Sequence, residues 1–139
     1  MPVEKLRRED GVELSYDYLP GKGPVLVFLP GFASDMGGTK AMFLREDCAK
    51  RGQAMLRLDY SGHGASGGRI EEGSIGIWTQ DAALVIKRVA GAEKLLLVGS
   101  SMGGWIALLL ALRFAARVES LLLIAPAPDF TELDRKSVV

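Results

Sequence analysis

The stretch LVGSSMGGWIALLLAL, residues 97–112, decides how this chain is expected to fold. It continues the apolar run KLLLVG (94–99), which is typical of a strand covered on both faces of a sheet. After two serines and a methionine, the apolar pattern predicts a helix over residues 102–115. The pattern therefore places Ser101 at a sharp turn between a buried strand and a helix.

Ser101 is the central residue of a Gly-x-Ser-x-Gly motif whose glycines are Gly99 and Gly103. When this motif follows a strand and opens a helix, it is typical of a strained turn that lifts the serine hydroxyl above the sheet. We therefore predict that Ser101, rather than the adjacent Ser100, is a nucleophile. The alternative is a glycine-rich turn of a nucleotide-binding fold, but GSSMGG lacks both the dinucleotide fingerprint and the P-loop lysine.

A second turn supports this interpretation. FLPGFASD (28–35) places a Pro-Gly pair directly after the buried strand PVLVFLP (24–30). Acyl transfer requires preorganised backbone N–H groups that stabilise an oxyanion. The elbow arrangement predicts one donor at Met102 and a second in this loop, where Phe32 is the best-placed residue. Taken alone, the loop could equally be an ordinary tight turn.

The rest of the chain alternates between strand and helix patterns. This alternation predicts an α/β fold with a mostly parallel sheet and helices on both faces. The first strand alternates in polarity and is expected to be antiparallel and half exposed. The last helix is apolar nearly all round, so we expect it to be deeply packed, with Trp78 and Trp105 in the core. The predicted strands are 12–19, 24–30, 54–59, 94–99 and 118–125, and the predicted helices are 39–52, 74–90 and 102–115.

Composition narrows the class of protein. The 139 residues are 48% hydrophobic and 24% charged, which fits one soluble globular domain. The 17 basic and 17 acidic residues balance, so no basic surface for nucleic acid or anionic membranes is expected. No signal peptide is recognised, and the longest apolar run is too short to span a membrane.

The single cysteine, Cys48, is predicted to be a buried thiol on a helix, and its being alone excludes an internal disulfide. This suggests a reducing compartment, for which the cytoplasm is the default expectation. One cysteine and one histidine form no cluster with metal-ligand spacing, so neither a metal nor a cofactor is predicted.

Three segments together resemble the N-terminal half of an α/β-hydrolase: PGFASDMGGTKA, DYSGHGASGG and LVGSSMGGW. They are similar to the subgroup of palmitoyl-protein thioesterases and acyl-glucuronide esterases, over about residues 24–126. The resemblance implies a serine hydrolase that cleaves esters or thioesters of a small-molecule or acylated substrate through an acyl-enzyme on Ser101. It also implies that the amides of Phe32 and Met102 form the oxyanion hole.

A non-catalytic binding module with the same fold is the alternative function. Dehalogenase and epoxide hydrolase chemistry is disfavoured, because those relatives carry aspartate at the elbow.

The base and the acid of the expected triad are not found. In this fold the triad follows the order Ser, acid, His, but His63 is the only histidine and it precedes Ser101. His63 is therefore expected to be structural, and Asp59 is expected to bind turn amides. Asp129 and Asp134 come too early for the family's acid. We expect the fold to be truncated after the strand that follows the nucleophile helix, which would leave an apolar sheet edge available for self-association.

The last six residues, DRKSVV (134–139), show no helix, strand or cap pattern. The codons GAT CGG AAG AGC GTC GTG would encode them and resemble a common sequencing-adapter stretch. We therefore expect residues 1–133 to be part of one α/β-hydrolase domain and residues 134–139 to be a non-native tail. A disordered native terminus is the alternative.

Overall fold

The computed structural model describes residues 3–124, and this range contains six strands and three α-helices. The strands are β1 (Glu4–Arg7), β2 (Glu13–Leu19), β3 (Lys22–Leu29), β4 (Gln53–Leu58), β5 (Leu95–Ser100) and β6 (Val118–Ile124). The helices are α1 (Thr39–Arg51), α2 (Ile75–Val85) and α3 (Met102–Arg113).

All six strands form one mixed sheet in the order β1-β2-β4-β3-β5-β6. Strand β2 runs antiparallel to β1 and β4, whereas β4, β3, β5 and β6 are parallel to one another. This confirms the predicted mostly parallel sheet, and the strand predicted at 12–19, which is β2, is antiparallel as expected. Because β3 and β5 are parallel neighbours, with Leu29 opposite Gly99, the turns that follow them lie side by side.

Helices cover both faces of the sheet, as predicted. Alternate side chains of β3 pack on opposite faces of the sheet, because successive side chains of a strand point to opposite sides. Leu26 and Phe28 pack with α1 residues, among them Cys48, whose thiol is fully buried and whose pKa is raised by that burial. Val25 and Val27 pack on the other face, in the cluster that contains the buried residues of α2 and α3.

The helix ends follow the sequence signals. Ser74 caps α2, its hydroxyl accepting a hydrogen bond from the Ile77 amide at 3.2 Å. Gly52 ends α1 in the left-handed conformation with φ 71°. The helix predicted to continue to residue 90 does so as a π-helical turn over Ile86–Ala90 rather than as an α-helix.

The prediction that the last helix is packed all round is wrong for one face of α3. Ile106 is fully buried against the sheet, but Leu108 and Leu112 are 41% and 78% exposed. Trp78 lies in the core as predicted, whereas Trp105 is 37% exposed. Hydropathy identified a helix with apolar residues on every side, but it does not indicate which sides pack against other elements of the fold. No helix within residues 3–124 has the length and hydropathy that a membrane span requires.

Several expectations concern residues outside the described range. Asp129, Asp134 and the expected tail at 134–139 all follow residue 124, as does the expected domain boundary at residue 133.

Candidate active site

Ser101 lies at the turn between β5 and α3, with φ 54° and ψ −119°. A residue with a side chain in such a conformation costs about 1–3 kcal/mol, so its surroundings must hold it there. The Ser101 amide donates to the carbonyl of Ile124 at 3.3 Å, and the Gly104 amide donates to the carbonyl of Ser101 at 2.9 Å. Ser101 is half-buried, whereas the preceding Ser100 is buried as the last residue of β5. The structure thus places Ser101 at the turn.

The two glycines of the motif are required by close backbone approach. A methyl group on Gly103 would lie 2.6 Å from the carbonyl carbon of Leu29 and 2.7 Å from the carbonyl oxygen of Pro30. A methyl group on Gly99 would lie 2.5 Å from the carbonyl carbon of Gly103. These neighbours are backbone atoms, which cannot rotate away as a side chain would. Helix α3 therefore packs directly onto the end of β3.

The loop after β3 lies against the elbow. A methyl group added to Gly31 would lie 3.3 Å from the Cβ atom of Ser101. Within residues 3–124, Ala33 and Ser101 are the two non-glycine residues with positive φ. The backbone N–H of Phe32 makes no hydrogen bond to the described residues. Met102 is the first residue of α3, so its N–H has no partner one helical turn earlier.

Phe32 rests on an aromatic cluster that sequence reasoning missed. The residue is 58% exposed, but its ring contacts the rings of His63 and Trp78 at centroid distances of 5.9 and 5.8 Å. The buried His63 has Nδ1 3.0 Å from the carbonyl oxygen of Ser61. Because a carbonyl only accepts hydrogen bonds, Nδ1 carries the proton in this contact. His63 is thus placed as a supporting residue of this loop.

Asp59 binds turn amides, as the sequence suggested. One carboxylate oxygen accepts from the amide of Met36 at 2.8 Å, and the other accepts from the amide of Ala65 at 3.0 Å. Burial raises the pKa of Asp59, although these two hydrogen bonds oppose the rise. Each oxygen accepts from a different segment, so the carboxylate links two loops.

Two buried ionic clusters were also missed. Arg57 and Arg45 each donate to the same oxygen of Asp17 at 2.7 Å, and both Arg57 and Asp17 are nearly inaccessible to solvent. In the second cluster, the buried Asp81 accepts from a guanidinium nitrogen of Arg8 at 2.9 Å. A signal existed for the first cluster, because Arg57 interrupts the otherwise apolar run AMLRLD. A charge at such a position must find an opposite charge when it is buried.

The sheet order, the strained serine at a strand-to-helix turn and the loop beside it define the α/β-hydrolase class. A family model described as "Serine aminopeptidase, S33" matches residues 22–135. The chain belongs to this family of serine hydrolases.

Individual relatives agree with this assignment. The mitochondrial palmitoyl-protein thioesterase ABHD10 of Pongo abelii is 43% identical over 124 residues, which are 89% of this chain and 40% of that protein. The solved structure of mouse alpha/beta hydrolase domain-containing protein 10 has a TM-score of 0.88 and 38% identity, covering 98% of this chain and 53% of that one. A putative hydrolase from Agrobacterium vitis S4 has a TM-score of 0.81 and 39% identity, over 94% and 55% of the two chains. The chain thus spans about two fifths of the length of the curated relatives it matches.

The expectation of a cytoplasmic protein is wrong, because the curated relatives that match are named as mitochondrial. The expectation depended on Cys48 remaining unpaired. A lone buried thiol argues against an oxidising compartment, but it does not distinguish one reducing compartment from another.

Proposed function

We propose that this chain carries the nucleophile and the oxyanion donors of a serine hydrolase that cleaves carboxylic esters or thioesters. The observation that supports this most directly is the positive φ of Ser101 at the β5–α3 turn. Backbone strain of this kind clusters at functional sites, and it supports a role for the Ser101 hydroxyl in the reaction.

The proposed chemistry has two halves. The Ser101 oxygen attacks the acyl carbon, the hydroxyl proton passes to a base, and the carbonyl oxygen becomes an oxyanion held by the amides of Phe32 and Met102. The alcohol or thiol then leaves with a proton, which gives an acyl-enzyme on Ser101. Water attacks this ester in the second half and releases the carboxylic acid.

The base in this scheme is not His63. That histidine is buried, and its second ring nitrogen, Nε2, has no hydrogen-bond partner within residues 3–124, so it makes no hydrogen bond to the Ser101 hydroxyl. The Ser101 hydroxyl itself has no hydrogen-bond partner within residues 3–124. We infer that this chain provides the nucleophile without its activating base. Its own hydrolysis should therefore be slow, because donors and binding alone leave only residual catalysis.

The substrate class is proposed from chemistry and from the relatives together. Relatives about 40% identical are named palmitoyl-protein thioesterases, which favours an acyl thioester or ester. The exposed ring of Phe32, beside the elbow, would offer apolar contact to an acyl group. The same names favour a mitochondrial location.

One observation favours the alternative, a binding module that retains the elbow without catalysis. Within residues 3–124 the Ser101 hydroxyl has no hydrogen-bond partner, and the one histidine of the sequence is buried elsewhere. The two functions differ in whether Ser101 ever becomes covalently modified.

Labelling with a fluorophosphonate tests this difference. The reagent phosphonylates an activated serine, and intact-mass spectrometry counts the adducts. We expect slow labelling of the purified chain at one site, lost in Ser101→Ala and retained in Ser100→Ala, the matched neighbouring substitution. Labelling that is absent, or that persists in Ser101→Ala, would contradict the hydrolase proposal.

We also propose that the chain self-associates through β6. Within residues 3–124 this strand pairs only with β5, and Leu122 on it is 55% exposed. An exposed apolar edge is a template for pairing with a second strand. Sedimentation velocity should show concentration-dependent association that Leu122→Lys reduces. A monomer at every concentration would contradict this proposal.

A further inference from the structure

The loop that carries Phe32 is here called the Phe32 loop (residues 30–36). Its first residue is hydrogen-bonded to a tyrosine that follows β4. Tyr60 is fully buried, and its hydroxyl donates to the carbonyl oxygen of Pro30 at 2.8 Å. A buried carbonyl that loses its donor is penalised, so this bond constrains where the loop leaves β3.

The last residue of the Phe32 loop is held at both of its backbone polar groups. The amide of Met36 donates to a carboxylate oxygen of Asp59 at 2.8 Å. The carbonyl of Met36 accepts from a guanidinium nitrogen of Arg57 at 2.5 Å. Both partners are 2% exposed, so these are buried, charge-assisted hydrogen bonds, which are stronger than neutral ones.

The three anchoring residues lie at or just after the carboxyl end of β4, which is the neighbour of β3. Between the two anchored ends, Ala33 is held at φ 58°, a conformation that an unconstrained loop would leave. The anchors therefore supply the constraint that this backbone needs. The amide of Phe32 lies inside the constrained segment.

We propose that Arg57, Asp59 and Tyr60 are positioning residues that fix the Phe32 amide where the oxyanion forms. This rests on the proposed function, since it concerns the oxyanion donor of that reaction. None of the three side chains needs to touch the substrate. They act through the backbone of the Phe32 loop, and small misplacements of such groups are costly to rate.

The most selective test is Tyr60→Phe, which removes one hydroxyl and leaves the buried ring in place. Tyr18→Phe, on β2, is the matched control. We expect Tyr60→Phe to lower the rate constant of Ser101 phosphonylation about tenfold, a part of the ~10²–10³-fold lost when an oxyanion donor is removed outright. The reagent concentration for half-saturation should not change. Tyr18→Phe should react like the unaltered chain.

Phosphorus NMR of the Ser101 adduct separates positioning from general stability. The phosphonyl oxygen occupies the oxyanion position, so its ³¹P shift reports on the amides around it. In folded samples, as judged by circular dichroism, Tyr60→Phe should shift this resonance toward that of the denatured adduct, and Tyr18→Phe should not. Equal rates and equal shifts in the two variants would overturn this inference alone. Failure of the unaltered chain to label at Ser101 would overturn the proposed function and this inference with it.

Asp59 provides a second variant pair in case Tyr60→Phe does not fold. Asp59→Asn keeps an oxygen that can accept from Met36, whereas Asp59→Ala does not. Labelling per folded molecule should therefore be faster in Asp59→Asn than in Asp59→Ala. Equal rates in these two variants would contradict the positioning role.

Discussion

Alanine at Gly103 should destabilise this protein, whereas alanine at the adjacent Gly104 should not. The two substitutions add the same methyl group to consecutive residues in the first turn of α3. At Gly103 it would lie 2.6 Å from the carbonyl carbon of Leu29, and closer still to its oxygen. At Gly104 it would lie 3.4 Å from a methyl group of Leu123, which is a tight contact with a side chain that can move.

The magnitude follows from these contacts. Overpacking costs about 1–3 kcal/mol, and the upper end applies at Gly103 because the obstructing atoms belong to the backbone of β3. Alanine also gains up to about 1 kcal/mol over glycine in a helix, and both variants receive a similar part of this gain. The difference between them therefore isolates the steric cost, which we expect to be about 3 kcal/mol.

Urea unfolding followed by circular dichroism measures this difference directly. We expect Gly103→Ala to lose about 2 kcal/mol relative to the unaltered chain, a fall in Tm of roughly 6–12 °C for a domain of this size. Gly104→Ala should be unchanged or slightly more stable. The slope of the free energy with urea should be the same in all three proteins, because the surface exposed on unfolding is the same. Equal midpoints for the two variants would refute the close approach of α3 to β3.

Three further predictions concern other parts of the chain. Ser74→Ala removes the cap of α2, whose hydroxyl accepts from the Ile77 amide, and should lower the free energy of unfolding by about 1 kcal/mol in urea. Asp17→Asn should flatten the acid side of the stability–pH curve. Burial alone would raise the pKa of Asp17, but hydrogen bonds from Arg45 and Arg57 outweigh it and lower this pKa. The ionised form therefore stabilises the fold fully above the ordinary pKa of 3.8, and this stabilisation is lost as pH falls from that value through the lower pKa of the folded state. Added imidazole should accelerate p-nitrophenyl ester hydrolysis through Ser101, because the chain's one histidine is buried and a base contributes typically ~10²–10⁴-fold.

Each of these has a result that would count against it. Unchanged stability in Ser74→Ala would mean that the cap hydrogen bond is not formed. A stability curve that is equally steep below pH 4 in the aspartate and asparagine proteins would remove Asp17 as the source of acid sensitivity. Imidazole catalyses ester hydrolysis by itself, so Ser101→Ala gives the background. Acceleration no greater than this background would contradict a nucleophilic Ser101.

The elbow could be predicted from sequence because its determinants are local. Gly99, Ser101 and Gly103 lie within five consecutive residues between two strong periodic signals. The steric requirements of a turn depend on the residue types within the turn itself, so they can be predicted from a short stretch of sequence. The same applies to the cap at Ser74 and to the end of α1 at Gly52.

The supports of the site could not be predicted in this way, because each depends on partners distant in sequence. Arg57 meets Asp17 across 40 residues, and Tyr60 meets Pro30 across 30. The polarity pattern of a strand does not identify the distant residue with which a buried charge will pair. The exposed face of α3 was missed for a related reason. The apolar character of a residue such as Leu112 does not determine whether another element packs over it.

The position of the site follows from the order in which the strands enter the sheet. From β3 the chain passes through α1 to β4 on one side, and then through α2 to β5 on the other side of β3. The two crossover helices lie on opposite faces, as parallel connections of one hand require when the chain reverses direction across the sheet. Such a reversal leaves a crevice at the carboxyl ends of the two central strands, where α/β proteins bind their ligands. The Phe32 loop leaves β3 and Ser101 follows β5 at the carboxyl ends of these neighbouring strands, so the strand order brings the loop beside the elbow. A Gly-x-Ser-x-Gly motif after β6, which is not a neighbour of β3, would form a similar turn but without the β3 loop beside it.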